Sequence, residues 1–97
     1  MIENKGILEI KRMCAKYTLS PIELSMHINI LPVRIYEIMS GKRRITIDTD
    51  LRLCKFFKVN KRHFVDMQID YDMALEEVKL ADRLRTIKTV DDIVKKK

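Results

Sequence analysis

The sequence predicts an all-α fold in a single domain. Apolar residues recur at intervals of three and four along much of the chain, which is the spacing of helices that bury one face. Two of these segments are short and are joined by a tight turn between Ser20 and Arg44, the pattern of a helix-turn-helix. With 97 residues, of which 46% are hydrophobic, the chain can bury one core of modest size and no second one.

The first two predicted helices precede the turn. One runs from about Lys5 to Tyr17 and serves as scaffold. Its apolar stripe is Ile7, Ile10, Met13, Cys14 and Tyr17. The second begins with Ser20 as N-cap, Pro21 in the first turn and Glu23 as the carboxylate that bonds back to the cap. Its apolar stripe is Ile22, Leu24 and Ile28.

The third predicted helix follows the turn. Asn29 suits the turn because it tolerates the left-handed backbone conformation, and Ile30 can fill the corner between the two helices. Pro32 is suited to the first turn of the third helix, and Gly41 to its end. The spacing predicts that its buried face consists of Ile35, Ile38 and Met39.

If that face is buried, the outer face of the third helix is free to enter the major groove of DNA. Arg34 suits a bidentate contact with a guanine, and Val33 suits contact with a thymine methyl group. Tyr36 and Ser40 can bond bases or phosphates. Glu37 can accept from a cytosine amino group or hold Arg34 in place.

Phosphate contacts are expected on both sides of this helix. Lys42, Arg43 and Arg44 follow it, where basic side chains position a protein on the DNA backbone without reading its sequence. The N–H groups at the helix start near Ser20 are natural phosphate donors. The candidate DNA-binding residues are Ser20, Pro21, Pro32, Val33, Arg34, Tyr36, Glu37, Ser40, Lys42, Arg43 and Arg44.

The same pattern has an interpretation without nucleic acid. Two short helices joined by a turn occur in many small α-helical domains. In that case the basic run is a solvated loop and Ser20 is only a cap. Tyr36 then packs against a neighbouring helix, and Arg34 pairs with Glu37 three residues further on.

Three further helical segments are predicted after the basic run. The fourth is capped by Thr46 or Asp48, and the fifth is capped by Asn60 and starts at Lys61. Their apolar residues are Leu51, Leu53, Cys54 and Phe57 in the fourth, and Phe64, Val65 and Met67 in the fifth. A longer C-terminal helix starts near Asp70. Its apolar residues are Met73, Leu75, Val78, Leu80, Ala81 and Leu84.

The C-terminal helix leaves two arrangements open. Its apolar residues either fold back onto the domain or pair with a second copy of the chain. The predicted domain is 1–85, and residues 86–97 form a basic tail. That tail either makes one helical turn capped by Thr89 or frays.

Charge is distributed unevenly along the chain, which has a formal net charge of +6. From Gly41 to Arg62 eight basic residues stand against two acidic ones. From Phe64 to Asp82 six acidic residues stand against one lysine. The asymmetry indicates one face for nucleic acid and a second face for another partner.

Two stretches of the sequence carry a family resemblance. They read LSPIELSMHINILPVRIYEIMSGKRRIT and DTDLRLCKFFKVNKRHFVDMQIDYDM. From Leu19 to about Leu80 the chain thereby resembles the HigA-type antitoxins, a branch of the phage-repressor-like (XRE/Cro) helix-turn-helix family. The matching anchors are Leu19, Ser20, Glu23, Leu24, Arg34, Ile35, Glu37, Ile38, Gly41, Lys42, Arg43, Arg44, Ile45, Thr46, Leu51, Arg52, Leu53, Phe57, Gln68, Tyr71 and Asp72.

The resemblance implies a compact five-helix, lambda-repressor-like DNA-binding domain with an additional C-terminal helix. It implies a homodimer that represses its own operon and binds a RelE-like ribonuclease toxin encoded beside it. Two recognition helices about 34 Å apart would require an inverted repeat in the double-stranded operator. Such a protein would be cytoplasmic and associated with the nucleoid.

The chain departs from the family pattern at the start of the recognition helix. Leu31, Pro32 and Val33 stand where relatives tend to have polar or basic residues, and Tyr36 replaces a common asparagine. Base readout is therefore altered or weakened. Two alternatives to the antitoxin remain, a stand-alone phage-like repressor and a protein-interaction module on the same scaffold.

Other functional classes find no support in the sequence. Cys14 and Cys54 occupy apolar positions without a CxxC pattern and are expected as reduced core thiols, while His27 and His63 are expected at the surface and not on zinc. No signal peptide and no apolar run near the roughly 18 residues of a membrane span is visible. Without a catalytic triad or a glycine-rich phosphate loop, no enzyme and no cofactor are expected.

Overall fold

The computed structural model describes residues 2–94, and its regular structure in that range is entirely helical. The helices are α1 (Lys5–Lys16), α2 (Pro21–Ile28), α3 (Pro32–Met39), α4 (Ile47–Phe57), α5 (Val65–Arg85) and the one-turn α6 (Val90–Ile93). The predicted all-α class is confirmed. Residues 95–97 of the predicted basic tail lie outside the described residues.

A single core lies where α1 to α4 meet the start of α5. It consists of Ile10, Met13, Cys14, Leu24, Ile28, Ile30, Ile35, Ile38, Ile45, Leu53, Cys54, Phe57 and Phe64. Both cysteines are free and buried, as predicted, and burial raises the pKa of each thiol. Leu24 and Ile28 of α2 and Ile35 and Ile38 of α3 face this core, as predicted.

Three predicted core residues lie at the surface instead. Tyr17 is 52% exposed because it lies at the end of α1, where its ring stacks on Phe57. Ile22, at the start of α2, is 49% exposed. Leu51 is 50% exposed because it lies on the outer side of α4. The residues of α4 that face the core include Asp50, Leu53, Cys54 and Phe57.

The predicted fifth and C-terminal helices form one continuous helix, α5, of 21 residues. Asn60 does not cap it, which corrects the expectation from sequence. The N–H groups at its start are bonded by Asp50, a residue of α4 that is 2% exposed. Its carboxylate accepts from the backbone of Arg62 at 2.7 Å and from Phe64 and Val65 at 2.9 Å each. A buried carboxylate from another helix thus positions the start of α5.

The second half of α5 projects away from the core. Beyond Leu80 every described residue is exposed. The described chain measures 61 × 27 × 21 Å with a radius of gyration of 18.2 Å. A chain of this length that is compact throughout has a radius of gyration of about 12.5 Å. The compact part of the molecule therefore ends within α5, and the alternative in which the C-terminal helix folds back onto the domain is wrong.

The described part of the tail follows one of the two predicted alternatives. Residues 90–93 form one helical turn, and the backbone N–H of Thr89 donates to Asp92 at 3.1 Å. Within residues 2–94, no helix combines the length and the apolar character needed to cross a membrane.

Glu9 connects α1 to the loop before α5. Its carboxylate accepts from Arg12 Nε at 2.6 Å and lies 2.7 Å from His63 Nε2. The hydrogen bond from Arg12, with a further contribution from His63, lowers the pKa of Glu9 from 4.5 to about 2. His63, predicted at the surface, is half-buried because it packs edge-on against Phe64 and bonds Glu9.

Replacing Asp50 by alanine should destabilise the protein strongly. The substitution leaves three N–H groups without their acceptor. An unsatisfied buried group costs about 1–3 kcal/mol, and we expect a total loss of about 2–4 kcal/mol in the free energy of unfolding by urea. Asp48→Ala is the matched control, since Asp48 lies in the same helical turn and its side chain is 59% exposed. Equal losses for the two variants would contradict the role of Asp50.

The low pKa of Glu9 predicts a pH-dependent contribution to stability. Because the pKa is lower in the folded state, the contribution is complete above pH 4.5 and is lost as the pH falls towards 2. Glu9→Gln removes it. The partner Arg12 is exposed, so the effect is on the order of 1 kcal/mol. Urea unfolding at pH 6 and pH 2.5 should show the wild type losing more stability than the variant, and parallel losses would contradict the assignment.

Candidate nucleic-acid interface

The start of α2 is closed by a reciprocal pair of hydrogen bonds. Glu23 donates its N–H to Ser20 Oγ at 3.1 Å, and Ser20 donates its N–H to the Glu23 carboxylate at 3.0 Å. The structure confirms the predicted capping box, and the bond from the Ser20 backbone lowers the pKa of Glu23. These two N–H groups are therefore already used and are not free phosphate donors.

The turn between α2 and α3 is held from two sides. Asn29 ends α2 in the left-handed conformation, with φ 57° and ψ 47°, as predicted from its tolerance of this region. Arg52 of α4 donates from Nη1 to the carbonyl groups of Ile28 at 2.9 Å and Asn29 at 3.0 Å. Ile30 is buried in the corner. Residue spacing does not indicate the contact from Arg52, although Arg52 is one of the anchors of the family pattern.

The orientation of α3 follows the prediction. Pro32 lies in its first turn, and Ile35 and Ile38 are 2% and 1% exposed. Met39 packs against the core from its edge. Because these residues face inward, the opposite side of α3 faces solvent.

The exposed side of α3 is largely apolar at its start. Leu31, immediately before the helix, is 67% exposed, Val33 is 58% exposed and Tyr36 is 49% exposed. Tyr36 therefore does not pack under a neighbouring helix.

The polar side chains of α3 and of its C-cap are partly buried or hydrogen-bonded within the chain. Arg34 is half-buried, and its Nε is out of contact with solvent and has no hydrogen-bond partner among the described residues. Glu37 accepts from Arg43 Nη2 at 3.4 Å and forms no ion pair with Arg34. Ser40 donates its hydroxyl to the carbonyl of Glu37 at 3.1 Å. The alternative in which Arg34 pairs with Glu37 is therefore wrong.

The basic loop folds back against the end of α3. Gly41 has a φ of 82°, and the next two N–H groups, those of Lys42 and Arg43, donate to the Glu37 carbonyl at 2.8 and 3.2 Å. This reversal brings Arg43 close to the Glu37 carboxylate. Lys42, Arg43 and Arg44 are all exposed.

The third basic residue of the loop is tied to α5. Arg44 donates to Asp72, from Nε at 3.2 Å and from Nη2. Gln68, which is 2% exposed, donates to the same carboxylate at 3.0 Å and accepts from Asn4 and from the N–H of Ile45, both at 2.9 Å. Burial raises the pKa of Asp72, but the bonds from Arg44 and Gln68 outweigh it and leave the pKa below its usual value.

Residue spacing does not predict this network. Gln68 and Asp72 are anchors of the family pattern, and that is the one signal in the sequence that points to them. The acidic stretch that includes Asp72 is partly neutralised within the chain. Its ion pairs are Asp66 with Arg62, Asp72 with Arg44, Glu76 with Lys79 and Asp82 with Arg85.

Comparison with solved structures gives close matches over nearly the whole chain. A HigA-family addiction module antidote protein from Coxiella burnetii matches with a TM-score of 0.80 and 27% identity, covering 91% of this chain and 96% of that one. The Pseudomonas aeruginosa antitoxin HigA with the higBA promoter matches with a TM-score of 0.83 and 16% identity, covering 93% and 99%. The Pseudomonas aeruginosa protein PA4674 in complex with its operator DNA matches with a TM-score of 0.84 and 16% identity, covering 93% and 98%.

Sequence comparison identifies a curated relative of part of the chain. Virulence-associated protein I of Dichelobacter nodosus is 38% identical over 64 residues, which are 61% of this chain. The chain spans about three fifths of the length of that relative. No protein-family model matches. The resemblance to HigA-type antitoxins is confirmed, and none of these relatives bears the name of an enzyme.

Replacing Gly41 by alanine should destabilise the end of α3 through the backbone alone. A Cβ at this position meets no atom within 4 Å, but the φ of 82° is strained for a residue with a side chain. We expect a loss of about 1–2 kcal/mol in the free energy of unfolding by urea. Gly41→Asn should lose less, because asparagine tolerates the left-handed region. Equal losses for the two variants would contradict this explanation.

Proposed function

We propose that this chain, which shares the fold of HigA-family antitoxins, is a DNA-binding repressor of the antitoxin type. The observation that carries the proposal is the orientation of α3. Ile35 and Ile38 hold one side in the core, the other side is open to solvent, and three exposed basic residues follow the turn at Gly41. An exposed helix beside a basic loop suits the major groove and its flanking phosphates. Two of the structural neighbours described above were solved with promoter or operator DNA.

Each candidate residue has a role in this proposal. Arg34 is the candidate for base recognition. Its Nε–H has no acceptor in the described part of the chain, so this group loses no hydrogen bond when the side chain moves to contact a guanine. Tyr36, Glu37 and Ser40 lie along the same helix and add contacts to bases or phosphates. Phosphate contacts come from Lys42, Arg43 and Arg44 in the loop and from the hydroxyl of Ser20, while Pro21, Pro32 and Val33 add apolar contacts.

The DNA-binding form is proposed to be a homodimer formed through the projecting half of α5. An apolar stripe lies along one side of this helix, because its members are separated by four, seven and four residues. They are Ile69, Met73, Leu80 and Leu84. Ile69, Met73 and Leu84 are 41%, 57% and 46% exposed. An apolar stripe on a projecting helix is suited to pairing with the same stripe of a second copy. Such a dimer would bind an inverted repeat.

The proposal includes a RelE-like toxin as the second partner. The support is the antitoxin description of the structural neighbours and the acidic character of α5. Co-expression with the product of a short neighbouring gene tests it, and a stable complex is the expected result. Absence of such a gene, or of a complex, would leave a stand-alone repressor.

A protein-interaction module is the second candidate function. The exposure of Leu31 and Val33 favours it, because apolar residues at the surface are also typical of protein contacts. This candidate predicts equal affinity for promoter DNA and for DNA of shuffled sequence.

Substitutions in α3 and in the loop should affect DNA binding differently. Arg34→Ala should weaken binding to the DNA upstream of the gene by about 1–3 kcal/mol and relax sequence preference. Arg43→Ala should weaken binding to all sequences and reduce the slope of log affinity against log salt by about 1. Lys79→Ala on α5 is the matched control for loss of a positive charge. Fluorescence anisotropy at several salt concentrations measures all three, and equal behaviour of the variants would contradict the interface.

Substitutions on opposite sides of α5 should separate dimerisation from charge. Met73→Lys introduces a charge into the apolar stripe and should convert the dimer to a monomer in sedimentation experiments. Val78→Lys is the matched control, because Val78 is 68% exposed and lies five residues away on another side of the same helix. A dimer that survives Met73→Lys would overturn the proposed interface.

A further inference from the structure

The start of the recognition helix presents an apolar surface where a hydrogen-bonding one is expected. Leu31 and Val33 are 67% and 58% exposed, and Pro32 lies between them. Exposure of two large apolar side chains to water does not stabilise the folded chain. Resting on the proposed function, we infer that Leu31 and Val33 read the methyl groups of thymines in the major groove, so that the preferred DNA carries 5-methylpyrimidines at these positions.

Competition from polar side chains is limited at this end of α3. Arg34 has its Nε out of solvent, so that only the terminal part of its guanidinium can reach a base. Glu37 is bonded to Arg43, and the hydroxyl of Ser40 donates to the backbone of Glu37. Leu31 and Val33, at 67% and 58%, are also more exposed than Tyr36 at 49% and than the half-buried Arg34. Thymine is the base whose major-groove edge carries an apolar group, its C5-methyl.

The backbone of Leu31 and the side chain of Val33 are restricted before binding. Pro32 has a fixed φ and restricts Leu31 to extended backbone, which is observed with φ −60° and ψ 138°. Val33 is β-branched and has one strongly preferred rotamer in a helix. Binding to DNA therefore costs little backbone freedom at Leu31 and little rotamer freedom at Val33.

The neighbouring charge favours DNA as the occupant of this surface. Lys42, Arg43 and Arg44 lie in the loop after α3 and supply positive charge for the phosphates beside the groove. Apolar contact also discriminates against cytosine. Its amino group would lose water without gaining a hydrogen-bond partner from Leu31 or Val33.

Replacement of thymine by uracil tests the inference on the whole upstream region, so the operator need not be mapped first. The DNA upstream of the gene is amplified once with dTTP and once with dUTP, which removes the methyl groups and leaves base pairing and phosphates unchanged. Burial of one methyl group contributes about 0.8 kcal/mol, which is about fourfold in affinity. A dimer that contacts one methyl group per half-site should bind the uracil DNA at least about 16-fold more weakly, with the same salt dependence.

Substitution of the two residues assigns the effect to them. The double variant Leu31→Ala, Val33→Ala should bind thymine and uracil DNA with the same affinity. Ile87→Ala is the matched control, because Ile87 is 66% exposed and lies beyond the end of α5. This control should keep the wild-type preference for thymine. Circular dichroism and thermal unfolding establish that the double variant is folded.

The outcomes distinguish this inference from the proposed function. Preference for upstream over shuffled DNA with equal affinity for thymine and uracil forms overturns the inference and leaves the repressor intact. A thymine preference that persists in the double variant also overturns it. No preference for upstream DNA in any form overturns both and favours the protein-interaction module.

Discussion

The rotational orientation of α3 is the constraint on which the proposed DNA-binding surface depends. Ile35 and Ile38 are almost fully buried, and burial of each side chain contributes roughly 1.5–3 kcal/mol. Rotation of the helix by one residue position would expose both and bury polar groups instead. The turn that delivers the helix is held by the left-handed Asn29 and by Arg52 from α4. Core packing therefore determines which side chains the helix presents to a partner.

Two buried polar side chains determine how α5 joins this core. Asp50 bonds the backbone at the start of the helix, and Gln68 connects its first half to Asn4 and to Ile45. Both are 2% exposed, so their hydrogen bonds are difficult to replace by water. Because the first half is anchored in this way, the second half can project away from the domain. The first half of α5 is thus part of the folded domain, and its second half is available to bind a partner.

The basic loop is less free than its sequence indicates. Arg43 is bonded to Glu37 and Arg44 to Asp72, and these side chains are between 34% and 54% exposed. Exposed ion pairs are weak in water, commonly below about 1 kcal/mol, so phosphate groups can compete with the carboxylates. The ion pair of Arg44 and Asp72 also connects the two proposed binding surfaces. It joins the basic loop, which is proposed to contact DNA phosphates, to α5, which is proposed to bind protein.

Local sequence determined the first four helices, the capping box at Ser20, the turn at Asn29 and the inward face of α3. These features depend on residues within about four positions of one another, so spacing and residue type are sufficient to predict them. Tertiary structure alone decided where α5 starts, that it projects, and that Arg44 bonds Asp72. The partners of Asp50 lie 12 to 15 residues away and Asp72 lies 28 residues from Arg44. Hydrogen bonds over such separations depend on how helices pack, which no local pattern in the chain specifies.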